Sequence, residues 1–261
     1  MSELVQVRSE GAIAVLTLDA PPANTYSYEM MLQLDQAILR ARMDDAIQVL
    51  VLTGQGERFF CAGADIKMLA GASPSFKYYF CLHANETLSR LEQTPKLVIA
   101  ALGGHTVGGG LEVALACDLR LAKAGGGKIG LPEVGLGVLP GTGGTQRLAR
   151  LLGRARALEL MISGRQLDFE SALQLGLVTE LLPADDFEQR VLEYAARFCA
   201  PHKAAKAVGR IKRAVISGSE SGFSEGLALE RELQQLLFES EDAREGLQAY
   251  AEKRPAVFKG V

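Results

Sequence analysis

At 261 residues and 48% hydrophobic side chains, the chain is long enough to bury a full core, as one large domain or a domain with an appendage. Its formal net charge of -3 and pI near 5.8 give no electrostatic reason to expect nucleic acid or an anionic membrane as partner. No basic segment precedes an apolar core at the start, and no apolar run reaches membrane-spanning length, so a cytoplasmic location is expected. Cys61, Cys81, Cys117 and Cys199 form no CxxC pair, and His83, His105 and His202 show no ligand spacing, which predicts free thiols and no metal.

In chain order, Leu4 to Arg8 and Ala12 to Leu18 read as two β-rich runs joined by Ser9-Glu10-Gly11, a hairpin. Pro21-Pro22 breaks the pattern. Ser27 then caps a helix that keeps Met30, Met31, Leu34 and Ile38 on one face, and Val49 to Gly54 is a strand ending on a glycine turn. Strand, helix and strand in alternation predict a layered α/β core. Small residues at Ala62-Gly63-Ala64 allow a ligand close to the backbone, and the Ala64 and Asp65 amides are candidate anion donors ahead of a helix from Asp65 to Ala70. The blander reading of Asp65 is a helix cap. Pro74 to Cys81 is rich in aromatic rings, most of which are expected to pack rather than line a pocket.

Lys96 to Leu102 reads as a buried strand that turns through glycines into a short helix from about Gly109. Glu112 falls in its first turn, where every neighbour is apolar or glycine, so the carboxyl has no polar face and is expected to be buried. The amides of Gly109 and Gly110 would point from that helix start toward a developing oxyanion. Glu133 sits in a second apolar, glycine-punctuated run, and the strand Asp118 to Ala122 with a turn through Gly125-Gly126-Gly127 can fold it back beside Glu112. Two carboxyls in a dry pocket repel when both are ionised, which separates them into an acid and a base. Either Glu alone reads equally well as a surface charge or a structural acid; together they favour paired proton transfer.

Other motifs fail. Gly125, Gly127 and Gly130 satisfy GxGxxG, but Pro132 and further glycines follow in place of a helix. No lysine and hydroxyl residue follow Gly108-Gly109-Gly110 as a P-loop needs, and no serine stands in GxSxG. From Gly143 onward the pattern is helical: 146–152, 154–162, 169–175, a short strand at 177–182, then 187–199, 203–216, 223–237 and 242–252. Lys203, Lys206, Arg210 and Arg213 form a solvent-facing basic stripe opposite Ala204, Val208, Ile211 and Val215.

Phe60 to Lys67, Val107 to Glu112, Gly130 to Glu133, Leu139 to Arg147 and the ending Glu245 to Lys259 together resemble the enoyl-CoA hydratase, or crotonase, family over nearly the whole chain. The resemblance implies an α/β crotonase spiral of ββα units at 1–198 and a helical trimerisation region at 199–261, with trimers that pair into hexamers. It matches the Ala64 and Gly109 amides to an oxyanion hole for a thioester carbonyl, Glu112 and Glu133 to the two hydratase acids, and Gly141 to a backbone position that orients water. Ala62, Asp65 and Ile66 match the loop along the coenzyme A carrier, and contact with its phosphates is the weaker alternative for part of the Lys203 to Arg213 stripe. The implied reaction adds water to a trans-2-enoyl-CoA with no separate cofactor, since the thioester itself acidifies C2.

Rival readings are a double-bond isomerase, a hydratase or dehydratase of a branched or cyclic acyl-CoA, and a non-catalytic acyl-CoA-binding protein. This chain departs from the family pattern in Ala23-Asn24-Thr25-Tyr26, where relatives are more apolar, in Gly104-His105, and in a Glu112 to Glu133 interval longer by one residue. These departures bear on substrate choice more than on fold.

Overall fold

The computed structural model describes residues 2–260. The chain opens with β1 (Val5–Glu10) and β2 (Ile13–Leu18), an antiparallel hairpin with Gly11 in the left-handed region at its turn. Helix α1 (Tyr28–Met43) is capped by Ser27, whose hydroxyl accepts from the Met30 amide, and it buries Met30, Met31, Leu34 and Ile38 as the sequence predicts. Next come β3 (Val49–Gly54), β4 (Phe59–Cys61), α2 (Ile66–Gly71) and α3 (Pro74–Glu92). The central run is β5 (Leu97–Leu102), β6 (His105–Val107), α4 (Gly109–Leu115), β7 (Leu119–Lys123) and β8 (Lys128–Gly130), followed by a 3-10 turn at Glu133–Leu136.

The remainder is α5 (Gly144–Leu152), α6 (Arg154–Ser163), β9 (Leu167–Asp168), α7 (Phe169–Gln174), β10 (Glu180–Leu182), α8 (Phe187–Ala196), α9 (Ala205–Ser219), α10 (Phe223–Phe238) and α11 (Glu241–Glu252).

Two sheets alternate along the chain. The first has the order β1-β2-β3-β5-β7-β10, parallel beyond the hairpin; the second has the order β4-β6-β8-β9. Successive passes β3-β4-α2, β5-β6-α4 and β7-β8 with its 3-10 turn repeat one strand–strand–helix step. Both faces of the large sheet are covered, so β5 is apolar at every position and β3 is apolar from Val49 to Leu52. Leu50, Leu52, Val98 and Ala100 face the main core under α1 and α3, while Val49, Val51, Leu97 and Ile99 face α8.

The C-terminal layer is anchored by residues that the helical pattern does not single out. On α9 the buried residues are Gly209, seated on the Pro95 carbonyl, and Lys212. Lys212 Nζ lies 2.8 Å from Asp118 Oδ2 and donates to Lys96 O at 3.1 Å. Ile211 and Val215, opposite the basic stripe, are 62% and 63% exposed. A buried ion pair made a lysine the inward residue of that helix. Lys203, Lys206 and Arg213 are exposed as expected, whereas Arg210 is half-buried. The aromatic run also differs from expectation: on α3 Phe80 is buried, but Tyr78 and Tyr79 are 66% and 63% exposed and Phe76 also reaches the surface. Among the described residues no helix is long and apolar enough to cross a membrane.

Candidate active site

The site lies where the second sheet hands over to short helices. Strand β6 ends at Val107; Gly108, at φ 58°, makes the sharp turn into α4, and Glu112 falls in the first turn of that helix. Glu112 is 2% exposed, as predicted from its neighbours. Its Oε1 accepts from the amides of Thr142 and Gly144, each at 2.7 Å, and its Oε2 pairs with the Thr142 hydroxyl in a short hydrogen bond. Burial raises its pKa, opposed by those three bonds and by the Arg147 guanidinium. Arg147 is itself held by Glu92, at 3.0 Å.

Glu133 opens the 3-10 turn and comes back to the same place. Its Oε1 lies 3.2 Å from where a side-chain carbon on Gly108 would sit. Burial, with a further contribution from the charge of Glu112, pushes its pKa up to about 7, and its buried Oε2 has no hydrogen-bond partner among the described residues. The two acids therefore share one pocket but not one environment: Glu112 is gripped, and Glu133 is not.

The candidate oxyanion donors also meet. Gly63 packs against the start of α4, so that a side-chain carbon on it would lie 2.9 Å from Gly109 N. The Ala64 amide has no acceptor among the described residues, although the amides on either side are used: Gly63 N faces Cys61 Sγ and Asp65 N donates to Tyr26 O at 3.0 Å. That bond corrects the reading of Asp65 as an anion donor. Its carboxylate instead accepts from Lys67 N and Met68 N, so Asp65 is the cap of α2. Ala62 is half-buried and Ile66 is exposed on the outer side of this loop. Gly141 leads into the segment that grips Glu112; its carbonyl accepts from Asn85 Nδ2 at 3.2 Å, and Cys81 of α3 lies beside it. His105 is not in the pocket, since its Nδ1 accepts from Lys128 N at 3.1 Å and its ring packs on Phe59.

Sequence reasoning missed Thr142, Asn85, Arg147 and Tyr26. Tyr26 is buried, with its hydroxyl 3.2 Å from Thr142 Oγ1. Thr142 and Arg147 stand inside a motif quoted for the resemblance, which was their one signal; nothing in the sequence pairs residues 26 and 142.

A family model described as enoyl-CoA hydratase/isomerase matches residues 8–261. The chain belongs to that family. A crystal structure of an enoyl-CoA hydratase from Geobacillus kaustophilus HTA426 is similar at TM-score 0.96 and 46% identity, covering 100% of this chain and 98% of that one. The short-chain-enoyl-CoA hydratase of Clostridium acetobutylicum is 35% identical over 96% of this chain and 95% of its own length. The 2,3-dehydroadipyl-CoA hydratase of Escherichia coli K12 is 37% identical over 100% of both. These neighbours share the crotonase fold, and the chain is an enzyme of the hydratase family acting on an acyl-CoA.

Proposed function

We propose that the protein is a two-glutamate enoyl-CoA hydratase that adds water reversibly across the C2=C3 bond of a trans-2-enoyl-CoA to give a 3-hydroxyacyl-CoA. The observation that carries this reading is the asymmetry of the acid pair: Glu112 is fixed by three donors, while Glu133 has a pKa near 7 and an unpartnered oxygen. The thioester oxygen accepts from the Ala64 and Gly109 amides, so negative charge pushed onto the carbonyl during addition is stabilised where it forms. Water lies between the carboxyls, oriented with help from the Gly141 backbone. Glu112 takes a proton from it as oxygen bonds to C3, and Glu133 delivers its proton to C2. The net change is one water added, with one acid gaining and the other losing a proton, and a proton passes back between them to close the cycle.

No cofactor takes part in this scheme beyond the coenzyme A carried by the substrate, whose chain runs along Ala62, Asp65 and Ile66. The apolar side chains exposed on α9 and α10, Ile211, Val215, Phe223 and Phe238, support self-association through the C-terminal region as a trimer, with trimers pairing to hexamers. The relatives' names put short unbranched and ω-carboxylated acyl groups first among thioesters to assay.

The test follows the absorbance of the conjugated thioester when crotonyl-CoA is mixed with the protein. Rapid loss in the wild type, absent from Glu112→Gln and from Glu133→Gln, is the expected result. A wild type that binds crotonyl-CoA without consuming it refutes hydration of short acyl chains and directs attention to double-bond isomerisation.

A further inference from the structure

Behind Glu112 lies a second layer of polar atoms. Thr142 turns both its amide and its hydroxyl to the carboxyl, and the Tyr26 hydroxyl lies 3.2 Å behind Thr142 Oγ1. Tyr26 and Thr142 are 2% and 3% exposed, and among the described residues Tyr26 Oη has no other hydrogen-bond partner. The phenol is wedged between Phe80, at 6.0 Å between ring centroids, and the Cα of Gly109, where any side chain would collide with it. So the ring has no room to swing its hydroxyl elsewhere.

Counting hydrogens gives the chain a direction. The Thr142 hydroxyl carries one proton. If it donates to Glu112 Oε2, Tyr26 donates to Thr142 Oγ1 and every atom is matched. If Glu112 instead holds a proton on Oε2 and donates it to Thr142, three protons share two contacts: either Thr142 donates to Tyr26 and the Tyr26 proton is stranded, or Tyr26 donates and the Thr142 proton is stranded, and a dry site resists both.

We propose that Tyr26 is a positioning residue that, acting through Thr142, locks Glu112 Oε2 as a hydrogen-bond acceptor and so makes Glu112 the ionised member of the acid pair. The ionisable groups facing Glu112 are Glu133 from the 3-10 turn, Arg147 from α5, Cys81 from α3 and Tyr26 itself. Burial, then the nearby Glu112 charge, holds the Tyr26 phenol well above its ordinary range, so it remains a donor. Arg147 reaches the carbonyl of Thr142, at 3.3 Å, and leaves the hydroxyl to Tyr26. For its kinetic consequence the inference rests on the hydratase reading; for its effect on Glu112 it does not.

Tyr26→Phe removes the hydroxyl and keeps the ring. The protonation of Glu112 is read by infrared difference titration of protein labelled with carboxyl-13C glutamate, with Glu112→Gln subtracted to isolate its band. The Glu112 midpoint is expected to rise by about half a pH unit, roughly threefold in its ionisation constant. The rise is expected to vanish in a Thr142→Val background, where no hydroxyl is left to orient. With crotonyl-CoA the acid limb of kcat moves up by the same amount while KM stays within about twofold, since Tyr26 is 2% exposed. Tyr26→Leu carries the same expectation should Tyr26→Phe not fold. An unchanged midpoint, or an equal rise in the Thr142→Val background, overturns the inference. A wild type inert toward crotonyl-CoA counts against the hydratase reading, and the infrared midpoint still decides the role of Tyr26.

Discussion

Replacing Glu133 with glutamine should make the protein more stable at alkaline pH while removing its activity. In the folded chain Glu133 ionises at about 7 instead of the ordinary glutamate value of 4.5, with burial as the first cause. The folded state therefore binds this proton more tightly than the unfolded state does. The associated stability is fully present below 4.5, is lost as pH rises through 7, and is absent above that. A gap of about 2.5 at 1.36 kcal/mol per pH unit corresponds to about 3.4 kcal/mol. Because the carboxyl is only half-buried, solvent screening reduces this to about 2 kcal/mol.

Glu133→Gln keeps the shape and cannot ionise, so it should be about 2 kcal/mol more stable than wild type at pH 8.5 and about equal at pH 4.5. Urea unfolding of both proteins at the two pH values and at one protein concentration measures this. The same variant should lose about 100-fold or more in kcat. Equal stability at pH 8.5, or a gap of the same size at both pH values, refutes the assignment of a raised Glu133 pKa and with it the acid role.

Glu112→Gln should also lose about 100-fold or more in kcat on crotonyl-CoA. It should stay folded, because an amide oxygen can still accept from Thr142 N and Gly144 N, and circular dichroism with a kinetic assay checks both points. Gly109→Ala drives a methyl group into the Tyr26 ring and should cost about 1–3 kcal/mol on thermal unfolding. Its kcat should fall with it, since the same shift tilts the α4 amide. Lys212→Met leaves Asp118, only 14% exposed, with the Val98 amide but no countercharge, and should cost about 3–5 kcal/mol. Hydrogen exchange is expected to show α9 loosened and α4 unaffected.

The long elements were legible because each carried its own period or its own cap. The Ser27 cap and the spacing of Met30, Met31, Leu34 and Ile38 specify α1 locally, and an unbroken apolar run specifies β5. The second sheet was not legible: β4, β6 and β8 have three residues each and β9 has two, too few for any period to emerge. Glu112 announced its burial through its neighbours, and Glu133 through its glycines. What grips Glu112 could not be read, because its donors lie 30 and 32 positions away and Tyr26 lies 116 positions from Thr142. Asp65 was misjudged for a related reason: whether its amide is free depends on the Tyr26 carbonyl, a long-range partner. On α9, the inward Lys212 could not be read because its partner Asp118 is long-range, and the helical pattern counts charge as exposure.

The grip on Glu112 has a consequence for how the polypeptide is made. Synthesis delivers the acid to the growing core well before it delivers Thr142 and Gly144, the backbone groups that satisfy it. Until those residues leave the ribosome, the carboxylate can be satisfied only by water, and the pocket around α4 stays wet. Final drying of the interior therefore waits for the segment that also completes the candidate site.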